Sequence, residues 1–315
     1  MKTAFMFPGQ GSQSKGMLSD LAEKYPSLLN TFQEASEVLG YDLWDLCQQG
    51  DESELNRTEV TQPAILTASI ALWRLWGELG AARPDYLAGH SLGEYSALVA
   101  AGSLEFSAAV GLVRERGRLM QGAVAEGVGK MAAVIGLDDD LVVAACSEAA
   151  EGQVVEAVNF NSPGQVVIAG NAEAVERAAA ACKEKGARRV LPLPVSVPSH
   201  CALMKPAAEQ LAVTLEKVTV QAPVIPVLQN VTAQIVTDPA QIRDNLVKQL
   251  YSPVLWTQTL KAMAGLGVER VVECGPGKVL VGLAKRTLEN AQGLATATSK
   301  DFEDSFEQVG SGDSA

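Results

Sequence analysis

A run from Pro84 to Glu94 joins a short apolar segment to a glycine-flanked serine and reads Pro84-Asp85-Tyr86-Leu87-Ala88-Gly89-His90-Ser91-Leu92-Gly93-Glu94. The residues before Gly89 predict a strand, and those after it predict a helix to about Ala101. A serine at such a strand–helix corner is exposed at the end of the strand, and the flanking glycines remove steric crowding. The N–H groups at the helix start favour negative charge, and the Leu92 N–H is suited to donate to it. The segment therefore predicts an α/β fold with Ser91 as a nucleophile; a tight structural turn is the alternative.

A serine hydroxyl needs a base to react at neutral pH, and the chain has only two histidines. His90 lies within the corner, where we expect its side chain to point away from Ser91. His200, which follows Val197-Pro198-Ser199, is therefore the predicted base, with a structural or exposed histidine as the alternative. No aspartate stands out as a third catalytic residue, so a backbone carbonyl is expected to orient the ring and the sequence predicts a Ser–His dyad.

Three arginines lie on a predicted helix over residues 106–124, and an acyl group that carries a carboxylate would need such a cation. At about 100° per residue, Arg114 and Arg116 lie on opposite sides of the apolar stripe, each roughly 80° from its centre. Arg118 lies further toward solvent. The helical period does not choose between Arg114 and Arg116, and surface arginines with packed stems are the alternative for both.

Strands and helices alternate on both sides of a distinct middle segment, which indicates a mostly parallel sheet covered by helices. Residues 128–196 show the order β-α-β-β-α-β, that of a ferredoxin-like unit. We therefore expect a discontinuous large domain formed by residues 1–127 and 197–299, with a small domain of residues 128–196 inserted in it. Residues 300–315 are rich in acids, Gly and Ser and are expected to form a disordered acidic tail.

Composition excludes several classes of function. The net charge of −12 argues against nucleic acid or an anionic membrane surface as a partner. No apolar run reaches the roughly 18 residues of a membrane span, and the start is too short for a signal peptide, so we expect a cytoplasmic protein. Five scattered cysteines without a CxxC spacing predict neither a zinc site nor disulfides. Cys201, beside His200, is expected to be a packed thiol, with a nucleophile as the alternative.

Several blocks of the sequence resemble the bacterial malonyl-coenzyme A:acyl carrier protein transacylases of type II fatty acid synthesis. They occur in the family order from residue 5 to about 290 and are Phe7-Pro8-Gly9-Gln10-Gly11-Ser12-Gln13, Thr61-Gln62-Pro63-Ala64, Gly89-His90-Ser91-Leu92-Gly93-Glu94-Tyr95, Arg116-Gly117-Arg118-Leu119-Met120-Gln121, Asn159-Phe160-Asn161-Ser162-Pro163-Gly164-Gln165, Pro198-Ser199-His200 and Glu273-Cys274-Gly275-Pro276-Gly277. Several such blocks together are highly specific, and only the acidic tail lies outside them.

The resemblance implies a hydrolase-like large domain with a ferredoxin-like small one, and it implies roles for six residues. These are Ser91 as the nucleophile, His200 as the base, the backbone N–H groups of Gln10 and Leu92 as the oxyanion hole, Arg116 as the ligand of the malonyl carboxylate, and Gln249 as the residue whose backbone carbonyl orients the histidine. The implied reaction is ping-pong transfer of malonyl from malonyl-CoA to the phosphopantetheine thiol of acyl carrier protein, a transient partner. No bound cofactor or metal is expected, and the protein is expected to be a monomer.

The sequence leaves open both the alternative functions and the surface that would dock the carrier. A serine esterase or thioesterase of the α/β-hydrolase type shares the strand–helix corner and is the alternative function. A non-catalytic, carrier-binding scaffold of the same fold is a third. The candidate docking residues for the carrier are basic and lie in two groups, Lys183, Lys185, Arg188 and Arg189 in the small domain, and Lys278, Lys285 and Arg286 near the carboxyl end.

Overall fold

The structure, a computed structural model, describes residues 1–195 and 197–310. Its strands are β1 (Lys2–Phe7), β2 (Tyr86–Gly89), β3 (Gly129–Ile135), β4 (Val155–Ser162), β5 (Gln165–Asn171), β6 (Arg189–Pro192), β7 (Val227–Leu228), β8 (Val268–Glu273) and β9 (Gln292–Ala295). Its helices are α1 (Ser19–Lys24), α2 (Leu28–Leu39), α3 (Leu43–Gln49), α4 (Glu52–Leu55), α5 (Thr58–Glu78), α6 (Gly93–Ala100), α7 (Phe106–Gly122), α8 (Asp139–Ala149), α9 (Ala172–Glu184), α10 (Lys205–Leu215), α11 (Pro239–Gln249), α12 (Trp256–Gly265), α13 (Val279–Thr287) and α14 (Ser299–Val309).

The larger sheet has five strands in the order β7-β2-β1-β8-β9, and every neighbouring pair is parallel. Its central strand β1 is buried on both faces, because Phe5 and Phe7 enter one hydrophobic core while Ala4 and Met6 enter another. Continuous apolar strands of this kind are typical of parallel sheets covered by helices. The predicted α/β architecture with a mostly parallel sheet is therefore confirmed.

The smaller sheet has four antiparallel strands in the order β4-β5-β3-β6. Along the chain, α8 follows β3 and α9 follows β5. The apolar faces of both helices share one core with the sheet. The opposite face carries Met131, Ala133 and Val167, which pack with Cys201 of the following segment. This face is turned toward the carboxyl ends of the parallel strands, so a cleft lies between the two sheets.

The expected disorder of the acidic tail is wrong for residues 300–309, which lie in α14. Phe302 and Phe306 recur at helical spacing and pack edge-on against Trp76 of α5, with ring centroids 5.7 Å apart in each pair. Thr298 caps the helix by accepting a hydrogen bond from the Asp301 N–H. An apolar stripe anchors this helix, while Asp304 and Glu307 are exposed and Asp301 pairs with Lys278. Residues 311–315 of the predicted tail lie outside the described residues.

None of the helices in the described ranges is long and apolar enough to cross a bilayer.

Candidate active site

Ser91 lies at the corner between β2 and α6 with a positive φ of 52°. Such a conformation is uncommon outside glycine and persists only where the surroundings impose it. Gly93 makes the corner possible, because a Cβ atom there would lie 1.9 Å from the Phe7 carbonyl oxygen. Gly9 has the same property, since its Cβ would lie 2.5 Å from the His90 carbonyl oxygen. The two glycines therefore let the loop after β1 pass directly against the serine corner.

His200 lies against Ser91, with 2.7 Å between the imidazole Nε2 and the serine Oγ. The end of α11 holds this histidine, because the last carbonyls of a helix have no partner within it. Nδ1 donates to the Gln249 carbonyl oxygen at 2.6 Å, and the backbone N–H of His200 donates to the Leu250 carbonyl at 2.9 Å. A proton on Nδ1 leaves the Nε2 lone pair directed at the serine hydroxyl, which is the arrangement of a general base.

The environment of His200 strongly favours the neutral imidazole. The side chain is only 2% exposed. Burial, followed by the positive charge of Arg116, lowers the pKa of His200 from 6.5 to about 3. Both causes act on the charged form, which loses hydration and is repelled by a nearby cation. The His200 imidazole is therefore unprotonated throughout the neutral range.

Arg116 is the arginine of α7 that enters the cleft. The residue is 1% exposed, and its guanidinium donates from Nη1 to the Gln62 Oε1 and from Nη2 to the Gln249 Oε1, both at 2.9 Å. The Nη2 atom also lies 3.3 Å from the Ser91 Oγ. Within the described part of the chain no carboxylate oxygen lies within 4.0 Å of this guanidinium. A buried cation with amide partners can accept an anionic group beside the serine.

The other two arginines of the helix face elsewhere. Arg114 donates to the Leu39 carbonyl oxygen, and Arg118 forms an exposed ion pair with Glu115. The helical period does not distinguish Arg114 from Arg116. The structure does, because Arg116 lines the cleft and Arg114 contacts Leu39 instead.

Gln10 and Leu92 line the same cleft as the dyad. The cleft is bounded by Gln10, His90, Ser91, Leu92, Arg116, Met120, Met131, Asn159, Leu193, Val195, Val197, Ser199 and His200. Leu92 precedes the first turn of α6, where backbone N–H groups are free of helical partners. The loop with Gln10 reaches the site through the close approach at Gly9. Of the six residues assigned by resemblance, five therefore line one cleft, and the sixth, Gln249, contacts Arg116 and His200.

His90 and Cys201 have other surroundings. The Nε2 of His90 lies 2.8 Å from the Asn161 Oδ1, and its ring packs edge-on against Trp256. The Cys201 thiol is buried and approaches the Pro198 carbonyl at 3.1 Å. Burial raises the pKa of Cys201 to about 12, so this thiol is not poised to act as a nucleophile.

Two residues of the site were given no role from the sequence. Gln62 lies on α5 and supplies one of the amide partners of Arg116. Asn230 follows β7, and its Oδ1 accepts the Ser91 N–H at 2.7 Å. Gln62 falls in a recognised sequence block, whereas nothing in the sequence marked Asn230.

Among residues 1–195 and 197–310, no group of three or more His, Cys, Asp or Glu side chains is arranged to hold a metal ion.

Comparison with known proteins gives one consistent result. The family model described as acyl transferase domain matches residues 4–301. The malonyl CoA-acyl carrier protein transacylase of Salmonella typhimurium is 63% identical over 286 residues, which cover 91% of this chain and 93% of that protein. The protein of the same name from Bacillus subtilis is 45% identical over 303 residues, covering 96% and 95%.

Solved structures agree with the sequence relatives. An acyl carrier protein S-malonyltransferase from Vibrio cholerae matches with a TM-score of 0.95 and 57% identity, covering 97% of this chain and 100% of that one. A type II PKS acyl-carrier protein in complex with its malonyl-transacylase matches with a TM-score of 0.97 and 55% identity, covering 98% and 100%.

Proposed function

Because the chain belongs to the acyl transferase domain family, we propose that it transfers a malonyl group from malonyl-CoA to acyl carrier protein through an ester on Ser91. The enzyme is an acyltransferase. Its relatives at 60–63% identity are malonyl CoA-acyl carrier protein transacylases, which gives the specific activity. The observation that carries the mechanism is the contact of Ser91 Oγ with His200 Nε2, beside the buried guanidinium of Arg116. Nucleophile, base and anion ligand then meet within one cleft.

The first half-reaction forms the malonyl ester. His200 Nε2 takes the Ser91 proton as the serine oxygen attacks the thioester carbonyl. The N–H groups of Gln10 and Leu92 stabilise the resulting oxyanion, an effect for which one donor is typically worth about 2.7–4 kcal/mol. The tetrahedral intermediate then breaks its carbon–sulfur bond, and the imidazolium returns the proton to the leaving coenzyme A sulfur.

The second half-reaction reverses the same steps with a different thiol. Neutral His200 takes the proton of the phosphopantetheine thiol, whose sulfur attacks the ester carbonyl. Collapse of the intermediate breaks the ester bond, and the proton returns to Ser91. Between the two half-reactions the enzyme carries the malonyl group on Ser91 after coenzyme A has left, which is the basis of the proposed ping-pong cycle.

The Gln249 carbonyl replaces the acid that a triad would use to orient the base. A neutral carbonyl fixes the tautomer of His200 without adding a negative charge beside the site. Such a charge would oppose binding of a malonate carboxylate to Arg116. Because no acidic third residue stands out in the sequence, we favour an acyltransferase with an anionic substrate over a serine esterase.

Carrier docking is proposed at a basic groove formed by Arg188, Arg189 and Arg286 together with Gln165. Two of the other candidates are paired, Lys185 with Glu148 and Lys278 with Asp301. The groove lies four residues along β3 and β6 from the cleft, or roughly 13 Å at about 3.3 Å per residue. An extended phosphopantetheine arm can cover such a distance.

We also propose the domain organisation expected from the sequence. The strands of the small sheet lie in the order β4-β5-β3-β6, and helices follow β3 and β5 along the chain. This arrangement supports a ferredoxin-like small domain of residues 128–196. The parallel sheet and its serine corner support a hydrolase-like large domain of residues 1–127 and 197–299. A cytoplasmic location, a monomeric state and the lack of a bound cofactor stay predictions; five free, buried cysteines support the first.

The test of the function is the intact mass of the protein after mixing with malonyl-, methylmalonyl- or acetyl-CoA. We expect one malonyl adduct per chain, located on Ser91 by peptide mapping and discharged by holo acyl carrier protein. Ser91→Ala should form no adduct and lose on the order of 10⁶-fold in turnover, as nucleophile deletions do. A malonyl adduct on that variant would refute the assignment, and release of free malonate without carrier transfer would favour the esterase.

A further inference from the structure

Asn230 is fully buried and connects to the serine corner through its whole amide. Its Oδ1 accepts the Ser91 N–H at 2.7 Å, and its Nδ2 donates to the Gly89 carbonyl oxygen at 2.6 Å. These two backbone groups belong to the residues on either side of His90. One side chain therefore joins the end of β2 to the nucleophile itself.

The backbone of Asn230 is held just as firmly. Its N–H donates to the Glu94 Oε2 at 2.7 Å, and its carbonyl accepts the Leu255 N–H at 3.0 Å. Glu94 lies in the first turn of α6, the helix that begins at the serine corner, and is completely buried. Two residues 136 positions apart in the chain thus hold each other behind the nucleophile.

Ser91 needs such a restraint because its backbone is in the left-handed region. A non-glycine residue there is strained and relaxes unless neighbours oppose it. The Gln249 Nε2 holds the Ser91 carbonyl at 3.0 Å, and Asn230 holds the Ser91 N–H. Relaxation of φ would move the Oγ away from His200.

We propose that Asn230, held in place by Glu94, is a positioning residue that keeps the strained Ser91 backbone in the conformation that aims its hydroxyl at His200. This inference rests on the proposed role of Ser91 as the nucleophile. Asn230 touches no substrate in this scheme and acts through the serine. A displacement of about 1 Å at a reacting atom is enough to cost roughly 10²-fold in rate.

The experiment measures the rate and half-saturation of Ser91 malonylation by rapid quench and intact mass. For Asn230→Ala we expect a fall of about 10²-fold in the maximal acylation rate with an unchanged half-saturating malonyl-CoA concentration, since Arg116 is intact. The matched control is Gln229→Ala, which removes the neighbouring buried amide without touching the serine corner. A structural defect alone would affect both variants alike and would lower their thermal midpoints in proportion.

The Glu94 pair keeps the test valid if Asn230→Ala does not fold. Glu94→Ala should slow acylation, and Glu94→Gln, which retains an oxygen for the Asn230 N–H, should restore most of the rate. Wild-type acylation rates in Asn230→Ala or Glu94→Ala would overturn the inference, as would a change confined to half-saturation. Absence of a Ser91 adduct in the wild-type protein would instead overturn the proposed function.

Discussion

The Nη2 atom of Arg116 lies 3.3 Å from the Oγ of Ser91, so a buried positive charge adjoins the nucleophile of the proposed reaction. Gln249 links this cation to the base, because its side-chain oxygen accepts from Arg116 while its backbone carbonyl accepts from His200. The charge of a group bound to Arg116 therefore affects the basicity of His200. A carboxylate bound to Arg116 offsets the field that depresses the pKa of His200 and makes the imidazole a better proton acceptor.

Arg116→Ala should abolish most of the preference for malonyl-CoA over acetyl-CoA. The lost charge-assisted hydrogen bonds are worth about 1.5–3 kcal/mol, or roughly 10- to 150-fold in the ratio of kcat/KM values. Parallel assays with both thioesters measure this ratio. Arg114→Ala is the matched control on the same helix, since that side chain donates to the Leu39 carbonyl instead. Unchanged selectivity in Arg116→Ala would give the arginine another role.

The pH dependence of Ser91 reactivity should show no loss of base near pH 6.5. Since the pKa of His200 is lowered to about 3, the imidazole stays neutral as pH falls from 8 to 5. Inactivation by a neutral serine-directed sulfonyl fluoride measures this without involving a substrate carboxylate. In Arg116→Gln the charge is gone, so the midpoint should move upward. A wild-type midpoint near 6.5 would show that burial and Arg116 do not act on His200 as described.

Local chemistry explains how much of this site could be predicted. The corner at Ser91 was predictable because a strand pattern, two glycines and a helix pattern are adjacent in sequence. His200 was found because the chain offered only one other histidine. Alternation of strands with helices indicated the parallel sheet, and the order of elements in residues 128–196 indicated the second sheet.

The rest depended on contacts between distant parts of the chain. Asn230 reaches Ser91 across 139 positions, and no local pattern marks a residue that functions through such a contact. Arg116 and Arg114 were equivalent by helical period, and only the packing around α7 distinguishes them. The helix α14 was missed because its acidic composition outweighed an apolar stripe of few residues.

Glu273→Gln should stabilise the protein increasingly as pH rises. The buried carboxyl accepts the Val281 N–H at 2.9 Å, and burial raises the pKa of Glu273 from 4.5 to about 7. The native state therefore binds more protons than the unfolded state between these values, and wild-type stability falls as pH rises through this window. Urea unfolding at pH 4.5 and 8 should show the variant's relative advantage grow by about 3 kcal/mol.

His200 changes stability in the opposite sense, since its lowered pKa makes stability fall as pH drops from 6.5 toward 3. The His200 contribution is the same in the wild type and in Glu273→Gln, so it cancels in the difference between their unfolding free energies. Glu269→Gln, which removes an exposed carboxyl from the same strand, is the matched control. A constant difference between Glu273→Gln and the wild type would mean that Glu273 ionises normally.

Charge reversal in the basic groove should weaken carrier docking selectively. The double variant Arg189→Glu, Arg286→Glu places two negative charges in the groove proposed for carrier docking, while the Ser91 cleft is left intact. We expect the KM for acyl carrier protein to rise by about tenfold or more, with the KM for malonyl-CoA and the rate of Ser91 malonylation unchanged. Because the attraction is electrostatic, raising the salt concentration should narrow the gap between variant and wild type. Arg83→Glu changes an exposed charge before β2, at the opposite end of that strand from Ser91, and should leave the carrier KM unaltered. Equal effects of the groove and control variants would place the docking surface elsewhere on the protein.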